Sequence, residues 1–217
     1  MKKVAVILSG CGVYDGSEIH EAVLTLLAIE QNEAKYRCFA PNINQHHVIN
    51  HLTGEVSEAE TRNVLVESAR IARGDIEDIA ELRVEDFDAL ILPGGFGAAK
   101  NLCDFAIKGN ECSMDESVLT ACQSFAKAGK PAGYMCIAPA MLPLIYGQGI
   151  KGTIGMDKGV AESLESMGLS HEDCNVTDIV MDMDNKVVTT PAYMLADSIS
   201  AAADGIGKLV RAVIFMA

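Results

Sequence analysis

The sequence predicts an α/β fold, a doubly wound and mainly parallel sheet flanked by helices. Three observations carry that reading. Val4 to Leu8 and the stretch closing at Leu92 are continuous apolar runs of strand length, the pattern of strands buried on both faces. Segments with apolar residues at helical spacing alternate with these runs, as crossover connections between parallel strands require. The chain has 217 residues, enough for one sizeable core and too few to call for a second, so residues 1–217 read as one domain.

Taken in order, Val4 to Leu8 is a strand ended by Ser9-Gly10. A helix follows, with Ser17 as its expected cap and Ala22, Val23, Leu26 and Leu27 on its apolar face, up to Gln31-Asn32. Tyr36 to Ala40 is a second strand closed by Pro41. Residues 42–54 are polar, hold three of the five histidines and read as a surface excursion. Helical spacing resumes from Glu58 to Ala72 and stops at Arg73-Gly74. Asp88 to Leu92 is the clearest strand, terminated by Pro93-Gly94-Gly95. A helix from Asp115 to Lys127, a strand from Lys130 to Met135 and a helix from Ile137 to about Tyr146 come next, with no loop between the last two. Thr177 to Met183 and Lys186 to Thr190 flank Asp184-Asn185 as a hairpin, and Leu195 to Phe215 closes the chain as a helix.

Composition removes several function classes. With 17 basic and 30 acidic side chains the net charge is −13, which opposes binding to nucleic-acid phosphates or an anionic membrane. The apolar run after Met1-Lys-Lys is too short for a signal-peptide core or a membrane span. Seven cysteines, an odd number without a CxxC pair, point to free thiols in a reducing compartment and give no zinc pattern. The expectation is therefore a cytoplasmic protein without a metal or other cofactor. His46, His47 and His51 lack a carboxylate partner motif and read as surface residues.

Three strand ends should meet at one edge of the sheet: Ser9 to Glu21, Pro93 to Asn101 and Met135 to Leu142. Cys136 in Gly-Tyr-Met-Cys-Ile-Ala-Pro-Ala stands where a strand turns directly into a helix, which exposes its sulfur and favours a thiolate. Gly94-Gly95 lets the backbone approach a ligand, so the amides of Gly95 and Ile137 are candidate oxyanion donors. Glu18 and Glu21 lie on one helix face and start at the same edge. Cys11 reads as loop filling, and Cys112, in a polar loop, as a silent free thiol by default, one that exposure there would open to an intermolecular disulfide under oxidation.

Four stretches in order resemble the ThiJ/PfpI superfamily, related to class I glutamine amidotransferases, and most closely its ElbB-like glyoxalase branch. They are Val4 to Glu21, Leu92 to Leu102, Met135 to Leu142 and Val188 to Met194. The resemblance implies a flavodoxin-like sheet, Cys136 as nucleophile and Glu21 as the glutamate that contacts it. It leaves Glu18 and His20 as auxiliary candidates, His20 pointing about 100° away from Glu21 on an ideal helix. It also implies a homodimer and a link to isoprenoid metabolism. No histidine lies between Cys136 and His171, so the base of the related hydrolases is missing. The implied chemistry is a glutathione-independent glyoxalase: the Cys136 thiolate adds to glyoxal or methylglyoxal, Glu21 moves the proton, and the adduct rearranges to glycolate or lactate. A redox-responsive regulatory or binding protein with an oxidisable Cys136, and an amidotransferase-like glutamine hydrolase, are the alternatives.

Overall fold

The computed structural model describes residues 1–217. Nine strands run in chain order: β1 (Lys3–Ile7), β2 (Lys35–Ala40), β3 (Ile76–Asp78), β4 (Ala89–Leu92), β5 (Ala132–Met135), β6 (Lys151–Gly152), β7 (Ser170–His171), β8 (Val180–Asp182) and β9 (Val187–Thr190). Seven of them form one sheet in the order β3-β2-β1-β4-β5-β9-β8, while β6 and β7 pair with each other. Every neighbour pair in the large sheet is parallel except β8–β9. This is the expected flavodoxin-like, mainly parallel α/β sheet.

The uniform apolarity of the strands follows from what covers them. In β1, Ala5 and Ile7 enter a core shared with Leu90, Leu92 and Phe125, whereas Val4 and Val6 enter a second one with Ile91, Ile206 and Leu209. Helices α1 (Ile19–Gln31) and α7 (Ile199–Met216) supply Ala22, Ile29, Ile206 and Leu209 to the second core. The segment α4 (Glu116–Lys127), which follows α2 (Val64–Ile71) and the single turn α3 (Phe105–Lys108), supplies Val118 and Phe125 to the first. Each fully buried side chain of this size contributes roughly 1.5–3 kcal/mol, so both faces must be covered for either to be stable.

Several element bounds differ from the sequence reading. Glu18, not Ser17, caps α1: its Oε2 accepts from the Glu21 amide at 2.7 Å, while the Ser17 hydroxyl accepts from the Ser9 amide at 2.8 Å. The helix expected over 58–72 begins only at Val64, because Asn63 supplies the cap that Glu58 cannot. The helix expected from Ile137 is a 3-10 turn, Ala138–Met141, followed by the short α5 (Leu142–Tyr146), because Pro139 and Pro143 each withhold an amide. The final helix starts at Ile199, where Ser198 caps it, rather than at Leu195. The edge strands β3 and β8, the β6–β7 pair and α6 (Lys158–Met167) are too short or too polar to show a period; of these, only the hairpin partner β8 was expected. No helix is long and apolar enough to cross a membrane.

Candidate active site

The chain passes from β1 outward through β2 to β3, then returns to lay β4, β5 and β9 on the other side of β1. The sheet therefore has its switch point between β1 and β4, the place where parallel sheets of this kind bind ligands beyond their strand ends. The loop after β1, the Pro93-Gly94-Gly95 turn after β4, Cys136 after β5 and Pro191 after β9 all meet there. The expected convergence is observed, with β9 as a fourth contributor.

Cys136 follows β5 directly, and its φ of 59° lies in the left-handed region that a side chain with a Cβ adopts only under strain. The neighbouring backbone supports that conformation, since its amide donates to Thr190 O at 3.0 Å. Gly94 sits against the elbow. A Cβ there would collide with Cys136 Cβ and lie 2.9 Å from both Cys136 Sγ and Glu21 Oε2, so glycine is required and the sulfur and carboxyl flank it. Gly95 has φ +90° and packs onto the backbone of Gly16 and Ser17, leaving no room for a side chain either.

Glu21 is fully buried. Its Oε2 accepts from the Gly94 amide at 2.8 Å and its Oε1 from the Tyr193 amide at 3.1 Å. Burial nevertheless pushes its pKa up, from 4.5 to about 7, with the Glu18 carboxylate adding to the rise and the Tyr193 and Gly94 amides opposing it. Tyr193 belongs to a 3-10 turn, Ala192–Met194, whose first residue is the other strained non-glycine near the site, with φ 44°. Sequence reasoning placed this turn in a family-like stretch without a role; the signal was Pro191 immediately after a strand ending at the same sheet edge.

The thiolate expected at Cys136 is not the resting form. The side chain is only 7% exposed, and burial raises its pKa well above the ordinary cysteine range, with the Glu21 carboxylate raising it further. The amides of Gly95 and Ile137 face the sulfur and oppose that rise without offsetting it. The helix that was to stabilise the thiolate is a 3-10 turn and five residues of α-helix, too short to develop a full dipole. The amides of Gly95 and Ile137 are thus directed at the sulfur, and Glu21 is beside it. None of the five main surface cavities is lined by Cys136 or Glu21.

The auxiliary candidates stand one layer out. Glu18 holds the Glu21 amide and lies 3.9 Å from His20 Nδ1. That nitrogen is 2.9 Å from Tyr193 Oη, and the imidazole is half-exposed. His46, His47 and His51 assemble no metal-binding group with other His, Cys, Asp or Glu residues. His46 and His51 are exposed and His47 is half-buried, as expected of surface residues; His51 accepts from the Tyr14 amide at 3.2 Å, and His47 Nδ1 is buried without a partner. Cys112, whose polar loop allowed for exposure, is buried.

No family model matches the chain. It is 45% identical over 221 residues to the human "Glutamine amidotransferase-like class 1 domain-containing protein 3, mitochondrial", covering 98% of this chain and 82% of that one. It is 32% identical over 231 residues to the Danio rerio "ES1 protein, mitochondrial", covering 98% and 85%. Among solved structures, an isoprenoid biosynthesis protein with amidotransferase-like domain from Ehrlichia chaffeensis superposes with a TM-score of 0.92 at 39% identity over 100% of this chain and 99% of that one. Drosophila melanogaster DJ-1beta shares the fold, with a TM-score of 0.56 at 16% identity over 99% and 95%. The relatives are named mitochondrial, which overturns the cytoplasmic expectation; free thiols report a reducing compartment and do not distinguish one such compartment from another.

Proposed function

Because the chain belongs to the glutamine amidotransferase-like class 1 family that includes the ES1 proteins, within the DJ-1/ThiJ/PfpI superfamily, we propose that it is a glutathione-independent glyoxalase acting on a small dicarbonyl. The observation that carries this reading is the buried Cys136–Glu21 pair closed over by Gly94, with two backbone amides aimed at the sulfur. The relatives' names point to the mitochondrion as the compartment.

The reaction begins from a thiol. With a pKa of about 7, Glu21 is ionised in about half the molecules at neutral pH and serves as general base. As the sulfur bonds to the aldehyde carbon of methylglyoxal, its proton passes to Glu21 and the carbonyl π electrons move onto oxygen. That oxygen forms where the Gly95 and Ile137 amides donate, and protonation completes the hemithioacetal. Glu21, ionised again, takes the carbon-bound proton of the former aldehyde, and the resulting enediol is reprotonated at the adjacent carbon. This leaves a 2-hydroxyacyl thioester on Cys136. Water cleaves it to lactate and regenerates the thiol, so the net change is addition of one water. Glyoxal gives glycolate by the same steps.

Glutamine hydrolysis is the weaker reading. It needs an imidazole beside the sulfur, whereas His20 is committed to Tyr193 and the chain has no His-x-Glu pair downstream of the elbow. The deciding experiment is steady-state turnover of methylglyoxal and of glutamine by the parent chain and by Cys136→Ala. Lactate formation that disappears in the variant supports the reading; lactate formed at the parent rate by Cys136→Ala ends it, and ammonia from glutamine revives the hydrolase.

A further inference from the structure

One buried side-chain amide joins three segments that are distant in sequence. Beyond Gly94-Gly95 the chain winds into the π-turn Ala98–Leu102, closed by the Cys103 amide donating to Ala98 O at 3.2 Å. This turn sets the neighbours Lys100 and Asn101 against a single loop, the one between β1 and α1. Lys100 Nζ donates to Tyr14 O at 3.0 Å. Asn101, 6% exposed, donates through Nδ2 to Ser9 O at 2.9 Å and to Asp15 O at 3.0 Å, and its Oδ1 accepts from the His46 amide at 2.9 Å. Both N–H groups of the side chain are thus spent on the two ends of that loop. The loop in turn seats the glycine turn. The Phe96 amide donates to Val13 O and the Gly97 amide to Gly16 O, each at 2.8 Å, and the Glu18 amide donates to Gly94 O at 3.0 Å. A Cβ on Gly97 would lie 2.5 Å from Ser9 O, the carbonyl that Asn101 holds, and one on Gly95 would lie 2.3 Å from the Glu18 nitrogen. On its other side the turn meets the elbow, with Gly94 against Cys136 and its amide on Glu21.

We propose that Asn101 is a positioning residue of the active site: by tying Ser9 to Asp15 it fixes where the Gly94–Gly97 turn meets Cys136 and Glu21. It acts through the turn and not on the reactant. Without its amide, Ser9 O and Asp15 O lose a buried donor, and the loop between them relaxes toward water. The three backbone bonds from that loop to the turn then loosen, and the Gly95 amide leaves the line of the oxygen on which charge develops. A misplacement of about 1 Å at such a donor costs up to about 10² in rate. The effect on rate rests on the glyoxalase reading; the effect on the turn does not.

The test compares the full parent chain with Asn101→Ala and with Asn101→Leu, which fills a similar volume without a hydrogen bond. Amide hydrogen exchange is read by NMR, and lactate formation from methylglyoxal is measured on the same samples at a temperature where circular dichroism shows each chain folded. If the leucine variant does not fold, the alanine variant carries the test alone. Both variants should exchange the Phe96 and Gly97 amides at least about tenfold faster, while the Cys136 amide, bonded to Thr190 O, keeps its parent rate. Both should lower kcat by roughly 10- to 10²-fold and leave KM within about threefold, the split expected when only the transition state loses a contact. If the parent forms no lactate, the glyoxalase reading fails and the exchange rates alone decide the positioning role. Parent exchange rates at Phe96 and Gly97 in Asn101→Ala, faster exchange spread evenly over the sheet, or parent kcat in either variant of an active chain would each overturn the proposal.

Discussion

Replacing Glu21 by Gln tests whether its carboxyl holds a proton to neutrality because it is buried. Unfolded, the group titrates near 4.5; folded, near 7. Between those values the folded state keeps a proton that the unfolded state has lost, so stability falls as pH rises across that window, by about 1.4 kcal/mol per unit. Over the window the loss is about 3 kcal/mol, undiminished by solvent because the carboxyl is fully buried. Glutamine removes this term but has a cost of its own. Its single oxygen can accept from only one of the Gly94 and Tyr193 amides, and its NH2 confronts the other, a penalty of roughly 1–3 kcal/mol. Below pH 4.5 the variant should be less stable than the parent by that penalty; above pH 7 the deficit should vanish or reverse. Urea unfolding at a series of pH values, with the m-value constant, measures the difference directly. A stability difference between parent and Glu21→Gln that stayed flat from pH 4.5 to 8 would refute the burial argument, whatever its size at any one pH.

The same carboxyl sets the rate. Parent kcat/KM for methylglyoxal should rise with pH through about 7, as Glu21 ionises, and Glu21→Gln should lower it by roughly 10²–10⁴ and remove the step; a bell centred elsewhere would remove Glu21 as base. Tyr193→Phe breaks the contact with His20 but keeps the backbone amide on Glu21, so kcat should change by less than about fivefold, and His20→Asn should behave alike, whereas general-base loss costs at least about 10². Gly94→Ala drives a methyl into Cys136 and against Glu21 without a backbone penalty, and should lower stability by roughly 1–3 kcal/mol and turnover far more, read by thermal melts and kinetics on the same sample. Cys136→Gly should be at least as stable as Cys136→Ala, because φ 59° favours glycine and cancels its usual entropic handicap of about 1 kcal/mol; a clearly less stable glycine variant would mean the elbow is not strained.

How much of the fold could be read in advance depended on whether an element's burial leaves a period. Strands β1 and β4 have both faces covered, so their unbroken apolar runs announced them. The helix α2 was placed six residues too early because Glu58 to Asn63 carries helix-tolerant residues without a cap; Asn63 decides the start by a hydrogen bond to the Val66 amide, and a single cap among polar residues has no periodic signature. The small pair β6–β7 is fixed by contacts far along the chain, with Lys151 tied to Asp182 and Ile154 to His171, and nothing within two residues of a strand reveals such partners.

The site divides along the same line. Its positions were legible, because strand ends in a parallel sheet must share an edge and because Gly-Gly and an elbow cysteine are local patterns. Its protonation state was not. A cysteine between a strand and a helix argues for a thiolate only if water or a full helix dipole reaches the sulfur; here the chain supplies Pro139 and Pro143, a 3-10 turn, and a fully buried glutamate instead. Those features reverse the expected order of affinities: the sulfur holds its proton more tightly than usual, and the carboxylate, itself reluctant to ionise, becomes the base that must take it. The strain at Cys136 and Ala192 serves this arrangement, because the two left-handed residues turn the sulfur and the Tyr193 amide toward the same glutamate from different strand ends. A nucleophile kept neutral until an aldehyde arrives is also protected from adventitious peroxide.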